Sequence, residues 1–174
     1  MAHYAVTAIG TDRPGIVAGL TEALRELGGN LEDVSSTILR GHFAMMFVVD
    51  APEGATAETV GEALQPAGEA LGVSIAVRDV EAGVPTRPAA THALTVYGSD
   101  RPGIVAGFAR LLADAGANVT DLTCRLVGEG RPVYVLVAEV EVRGDAEALD
   151  RAIRAAADEL GVDVSFRARE TDTF

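Results

Sequence analysis

The 174-residue chain reads as an α+β protein made of two copies of one small βαββαβ unit, each an antiparallel sheet with both helices on one face. Three observations predict this. A ten-residue block recurs, GTDRPGIVAG at residues 10–19 and GSDRPGIVAG at residues 98–107, nine positions identical at an offset of 88 residues. Strand-like and helix-like patterns follow each copy of the block in the same order. Between the copies, EAGVPTRPAAT at residues 81–91 has the proline and glycine content of a linker. The expected organisation is a first domain at 1–80, a linker at 81–91 and a second domain at 92–174.

Within the first copy, residues 4–9 suit a strand. Asp12, Arg13 and Pro14 then carry helix-start signals, an Asp cap with Pro in the first turn. Ile16, Leu20, Leu24 and Leu27 recur on one apolar face, and Gly28 with Gly29 stops the helix. Residues 30–39 and 43–50 read as a hairpin turning tightly at Arg40, Gly41 and His42. A second helix is expected from about 57 to 71 with Val60, Leu64, Ala67 and Leu71 inward, weakened or kinked by Pro66. Residues 73–80 close the unit as a strand.

The second copy repeats the order, with strands near 92–97, 118–127, 133–142 and 162–167 and helices near 103–115 and 145–160. The last helix carries Leu149, Ile153, Ala156 and Leu160 on its core face. The offset grows from 88 to 89 by Leu160, which matches Leu71, so an extra residue is expected in the hairpin at 128–132. This element order is that of the ferredoxin-like arrangement, where the second strand lies at a sheet edge. Its unpaired backbone groups invite pairing, between the copies or with a second chain.

Composition narrows the function classes. With 48% hydrophobic residues the chain can bury a core, although each half alone would be a marginal globule. A formal charge of −12 repels a phosphate backbone, so direct nucleic-acid binding is disfavoured. A single cysteine, Cys124, forms no intramolecular disulfide, and His3, His42 and His92 lack the spacing of a metal set. No signal peptide and no stretch of membrane-spanning length is apparent, so a cytoplasmic protein is expected.

The candidate site is the repeated turn. Backbone amides of Gly15, Ile16 and Val17, and of Gly103 and Ile104, are directed out of a helix N-terminus, which attracts anions. Gly15 and Gly103 permit close backbone approach by a carboxylate, and Asn30 and Asn118 supply a donor and an acceptor. Together these suit a free amino acid. A purely structural account stands beside this one: Asp12 and Asp100 as caps, Pro14 and Pro102 fixing the first turn, Asn30 and Asn118 as turn residues. Arg13 and Arg101 are either solvated or anion contacts. Cys124 reads as a small core residue, and Met45, Met46 and Phe47 as core.

A strand followed by DRPGIVAG, an amphipathic helix, GGN or GAN, and then a hairpin, helix and strand resembles the ACT domain, a regulatory module that binds amino acids. The resemblance spans nearly the whole chain, twice. It is closest to the glycine cleavage system transcriptional repressor family of tandem ACT proteins and to the N-terminal ACT domain of formyltetrahydrofolate deformylases, whose formyl-hydrolysing domain these 174 residues leave no room for.

The resemblance implies a ligand held between the turn and first helix of one copy and the second strand of its neighbour. That maps to Asp12, Arg13, Pro14, Gly15, Ile16 and Asn30, and to Asp100, Arg101, Pro102, Gly103, Ile104 and Asn118. It further implies a small amino acid (glycine or similar) as effector, a protein partner instead of DNA, pairing as a homodimer or within the chain, and no catalytic residue, cofactor or metal. The half-sites need not be equal, since Gly29 becomes Ala117 and Leu20 becomes Phe108. Two rivals are an acylphosphatase-like hydrolase using Arg13 and Asn30, and a ligand-free interaction module.

Overall fold

The computed structural model describes residues 2–80, 89–130 and 132–169. Residues 81–88 of the expected linker lie outside them. The chain divides into two compact units, residues 1–84 and 85–174.

In the first unit, β1 (Ala2–Thr11), α1 (Ile16–Leu27), β2 (Asn30–Leu39), β3 (His42–Ala51), α2 (Ala57–Leu71) and β4 (Val73–Asp79) form a four-stranded antiparallel sheet of order β2-β3-β1-β4. Alternation along the strands sends Tyr4, Val6 and Ala8 from β1 and Phe43, Met45, Phe47 and Val49 from β3 to one face. There they meet Ile16, Leu20 and Leu24 of α1 and Val60 and Leu64 of α2, all buried. Met46 lies on the opposite face, 54% exposed, so it is not core as expected. Pro66 does not break α2, which runs unbroken from a Thr56–Thr59 capping box to Gly72. The hairpin turn is two residues, not three: Leu39 pairs with His42, and Arg40 and Gly41 both take positive φ, 50° and 80°. That is the I′ geometry whose twist suits a two-residue hairpin.

The second unit repeats the pattern: β5 (His92–Gly98), α3 (Ile104–Asp114), β6 (Asn118–Val127), β7 (Val133–Glu141), α4 (Ala146–Leu160) and β8 (Asp163–Ala168), in sheet order β6-β7-β5-β8. Its core joins Leu94, Val96, Phe108, Leu136, Val140 and Ile153. In α4 the inward residue is Ala157, with Ala156 only half-buried. The hairpin differs more than the expected single insertion. Phe47 faces Val6 and Ala138 faces Leu94, so β3 and β7 stand 91 residues apart, whereas α2 and α4 begin 89 apart. The second hairpin loop is three residues longer, and the connection into the last helix is two positions shorter.

As expected, the second strand of each unit is an edge strand. It is exposed along almost its whole length. Val34 and Ile38 pair with the buried Phe47 and Phe43 and so share the helix-side face, yet each is 55% exposed because neither helix reaches over β2. Leu122 and Leu126 hold the equivalent places in β6.

Candidate functional site

Each repeated turn leaves the end of the first strand and enters the first helix. Gly10 and Gly98 lie at the end of that strand, where a Cβ would crowd the last strand. A Cβ on Gly10 would stand 2.4 Å from the carbonyl oxygen of Gly72, and one on Gly98 2.6 Å from Val162 Cγ1. The last strand can therefore close against the root of the turn.

The helix start is not built as the sequence suggested. Asp12 and Asp100 do not cap. The N-cap residues are Gly15 and Gly103, at φ 97° and 102°, with no side-chain cap bond. An L side chain rarely adopts that backbone, so the glycines are required by conformation; the space beside Gly103 is open, and a Cβ on Gly15 would only touch Leu71 Cδ2 at 4.0 Å. Asp12 instead donates its N–H to the carbonyl of Gly41, 2.9 Å away, fastening the turn to the hairpin. Pro14 and Pro102 precede the helix and do not lie in its first turn.

The other two helices are capped by side chains: Thr56 accepts from Thr59 N–H, and Asp145 accepts from Ala148 N–H at 2.9 Å. Uncapped starts thus occur at α1 and α3, where the repeated block lies. The first helical bond there runs from Gly19 N–H to Gly15 C=O, and from Gly107 to Gly103, each 2.8 Å. The amides of Ile16 to Ala18, and of Ile104 to Ala106, precede it and carry the partial positive charge of the helix end.

Arg13 and Arg101 follow the aspartates in each turn. Both guanidinium groups sit by the C-terminal glycine of the unit's other helix, Gly72 and Gly161. A cation belongs there, against the negative end of that helix.

Asn30 and Asn118 are exposed and begin their edge strands, as expected. Within one unit, however, they are far from the turn. Asn30 is level with Asp50 and His3, whereas the turn is level with Leu39, His42 and Thr11. Eight residues of strand separate these levels, roughly 26 Å at about 3.3 Å per residue. One unit alone does not bring the turn and the asparagine together.

A further group beside the second turn escaped the sequence reading. Tyr134 pairs directly with Gly98 and, on its other side, with Leu126. Cys124 and Asp100 both lie near enough to act on its hydroxyl. Burial first, then the neighbouring Cys124 and the Asp100 carboxylate, push the phenol up to about 12. In the first unit the equivalent positions hold Phe43, paired with Gly10 and Ile38, and Ser36. The three-residue difference in hairpin length hid this correspondence.

Comparison with known families gives two matches to the ACT domain, at residues 3–78 and 92–158. The chain belongs to the ACT-domain family, with two such domains in tandem. A UPF0237 protein of Methanopyrus kandleri is 48% identical over 79 residues, 45% of this chain and 88% of that protein. A UPF0237 protein of Methanocaldococcus jannaschii is 40% identical over the same shares. Among solved structures, a protein of unknown function from Galdieria sulphuraria matches at TM-score 0.82 and 25% identity, over 97% of this chain and 99% of that one. A protein named as a glycine cleavage system transcriptional repressor matches at TM-score 0.71 and 18% identity over 98% of both, a likeness of fold. Among the described residues, no helix of the tandem ACT protein is long and apolar enough to cross a membrane, and no three His, Cys, Asp or Glu side chains are grouped to hold a metal.

Proposed function

We propose that this tandem ACT protein is a regulator whose repeated turns bind a small amino acid, glycine or one of similar size, and that occupancy changes its affinity for a protein partner. The carrying observation is that in each module the asparagine begins the edge strand while the turn, two strands inward, is level with that strand's other end. Antiparallel pairing of that edge with the edge of another module brings the asparagine of one to the end of the sheet where the turn of the other lies. The uncapped amides then meet the ligand carboxylate, and Asn30 or Asn118 meets its ammonium.

Regulation follows if the ligand favours one packing of the modules over another, since a ligand shifts an equilibrium only by its differential affinity. Glycine or one-carbon metabolism is the proposed setting, on the likeness to the repressor-named protein and the sequence resemblance. A protein partner accords with the net charge of −12, which disfavours direct contact with DNA.

Thermal shift of the full chain against single amino acids at millimolar concentration tests the reading. Saturation at 100 times Kd stabilises by about 2.7 kcal/mol, a rise of about 5 °C or more. The rise is expected to vanish when Asn30→Ala and Asn118→Ala are combined. If no amino acid raises the transition, the proposal fails.

A further inference from the structure

We infer that the two turns select different amino acids, with Tyr134 the specificity-determining residue of the second; this rests on the amino-acid reading above. The argument compares positions that register makes equivalent. Gly10 pairs with Phe43 in the first module, and Gly98 pairs with Tyr134 in the second. Each aromatic ring lies on the helix side of the sheet at the root of its DRPG turn, next to the edge-strand residue Ile38 or Leu126.

Phe43 is 5% exposed and presents only hydrocarbon to that corner. Tyr134 is half-buried, in the same corner, and carries a hydroxyl. The neighbouring edge positions diverge with it, Ser36 in the first module and Cys124 in the second.

The phenol oxygen stands near Cys124 and Asp100 and has lone pairs that can accept from a ligand donor. An amino acid bearing a hydroxyl on its β-carbon supplies such a donor. Glycine and alanine do not. Bound at the second turn, they would leave the partly buried phenol oxygen without water or ligand, which costs affinity. At the first turn a hydroxyl would meet the Phe43 ring and lose its own hydrogen bond. The second turn therefore takes a hydroxyl-bearing amino acid and the first takes glycine or alanine.

Titration calorimetry of the full chain with glycine, L-alanine and L-serine tests this. In the wild-type chain, serine and alanine are expected to fill different sites. Tyr134→Phe is expected to reduce the serine-over-alanine preference of the second site about 5- to 10-fold, the worth of one partly exposed hydrogen bond. Phe43→Tyr is expected to raise serine affinity at the first site, a gain that a folding defect cannot produce. Circular dichroism and the melting transition of both variants confirm that each folds. Binding with an unchanged serine-to-alanine ratio in both overturns this inference and leaves the amino-acid reading standing. Absence of binding by all three amino acids to the wild-type chain overturns both.

Discussion

The guanidinium of Arg13 lies over Gly72, the residue that ends α2: a Cβ placed on Gly72 would stand 3.0 Å from Arg13 Nη2. Arg101 repeats the relationship with Gly161, where the corresponding approach is 3.6 Å. The arginine of each DRPG block therefore ties its turn to the end of the unit's second helix. Arg13→Ala is expected to lower stability by less than about 1 kcal/mol, the usual worth of a surface cation at a helix C-terminus. Amino-acid affinity should change less than twofold, and a large loss on titration would place the guanidinium on the ligand instead.

Leu20 is fully buried where α1 meets the sheet. Leu20→Ala is expected to destabilise the first module by about 2 to 5 kcal/mol, combining lost burial with the cavity left behind. Urea unfolding monitored by circular dichroism measures it as a shift in midpoint with unchanged slope.

The phenol of Tyr134 stays protonated in the folded chain to about pH 12, against an ordinary value of 10.0. An unfolded chain releases that proton earlier. Between about pH 10 and 12 the native state therefore binds more protons than the unfolded state, and stability falls as pH rises across that window. Absorbance titration of the three tyrosines should show one late transition near 12, absent in Tyr134→Phe. A wild-type curve complete by pH 11 would contradict the burial of this ring.

Arg40 holds φ at 50° in the two-residue hairpin, a conformation in which asparagine is several-fold enriched. Arg40→Asn produces the Asn-Gly pair preferred in this turn and is expected to stabilise by roughly 0.5 kcal/mol. The melting temperature should rise by one or two degrees. No rise would mean that the arginine side chain compensates for its own backbone strain.

Much of this fold was legible in the sequence. Apolar residues at helical spacing placed α1, and β2 and β6 were read to the residue, because Gly28, Gly41 and the alternating strands leave little room for other registers. Helix starts were harder. Asp-Arg-Pro-Gly reads as a capped helix, but the positive φ of Gly15 delays the first turn past the reach of Asp12, whose amide serves the hairpin instead. The hairpin difference was compressed to one residue because an insertion and a deletion nearly cancel in the downstream offset. That cancellation also concealed the equivalence of Tyr134 and Phe43 in their two modules. Asn30 was correctly placed on an edge strand, but its distance from its own turn emerges only from the strand register.

Each ACT module carries a ten-residue edge strand that neither of its own helices covers. Those two strands, β2 and β6, are two places where a further strand can add. Joined head to tail without closure, such units propagate into filaments; joined about a rotation axis, they terminate as a finite ring or pair. Which of these two outcomes the chain reaches decides whether β2 and β6 stay open to further strands.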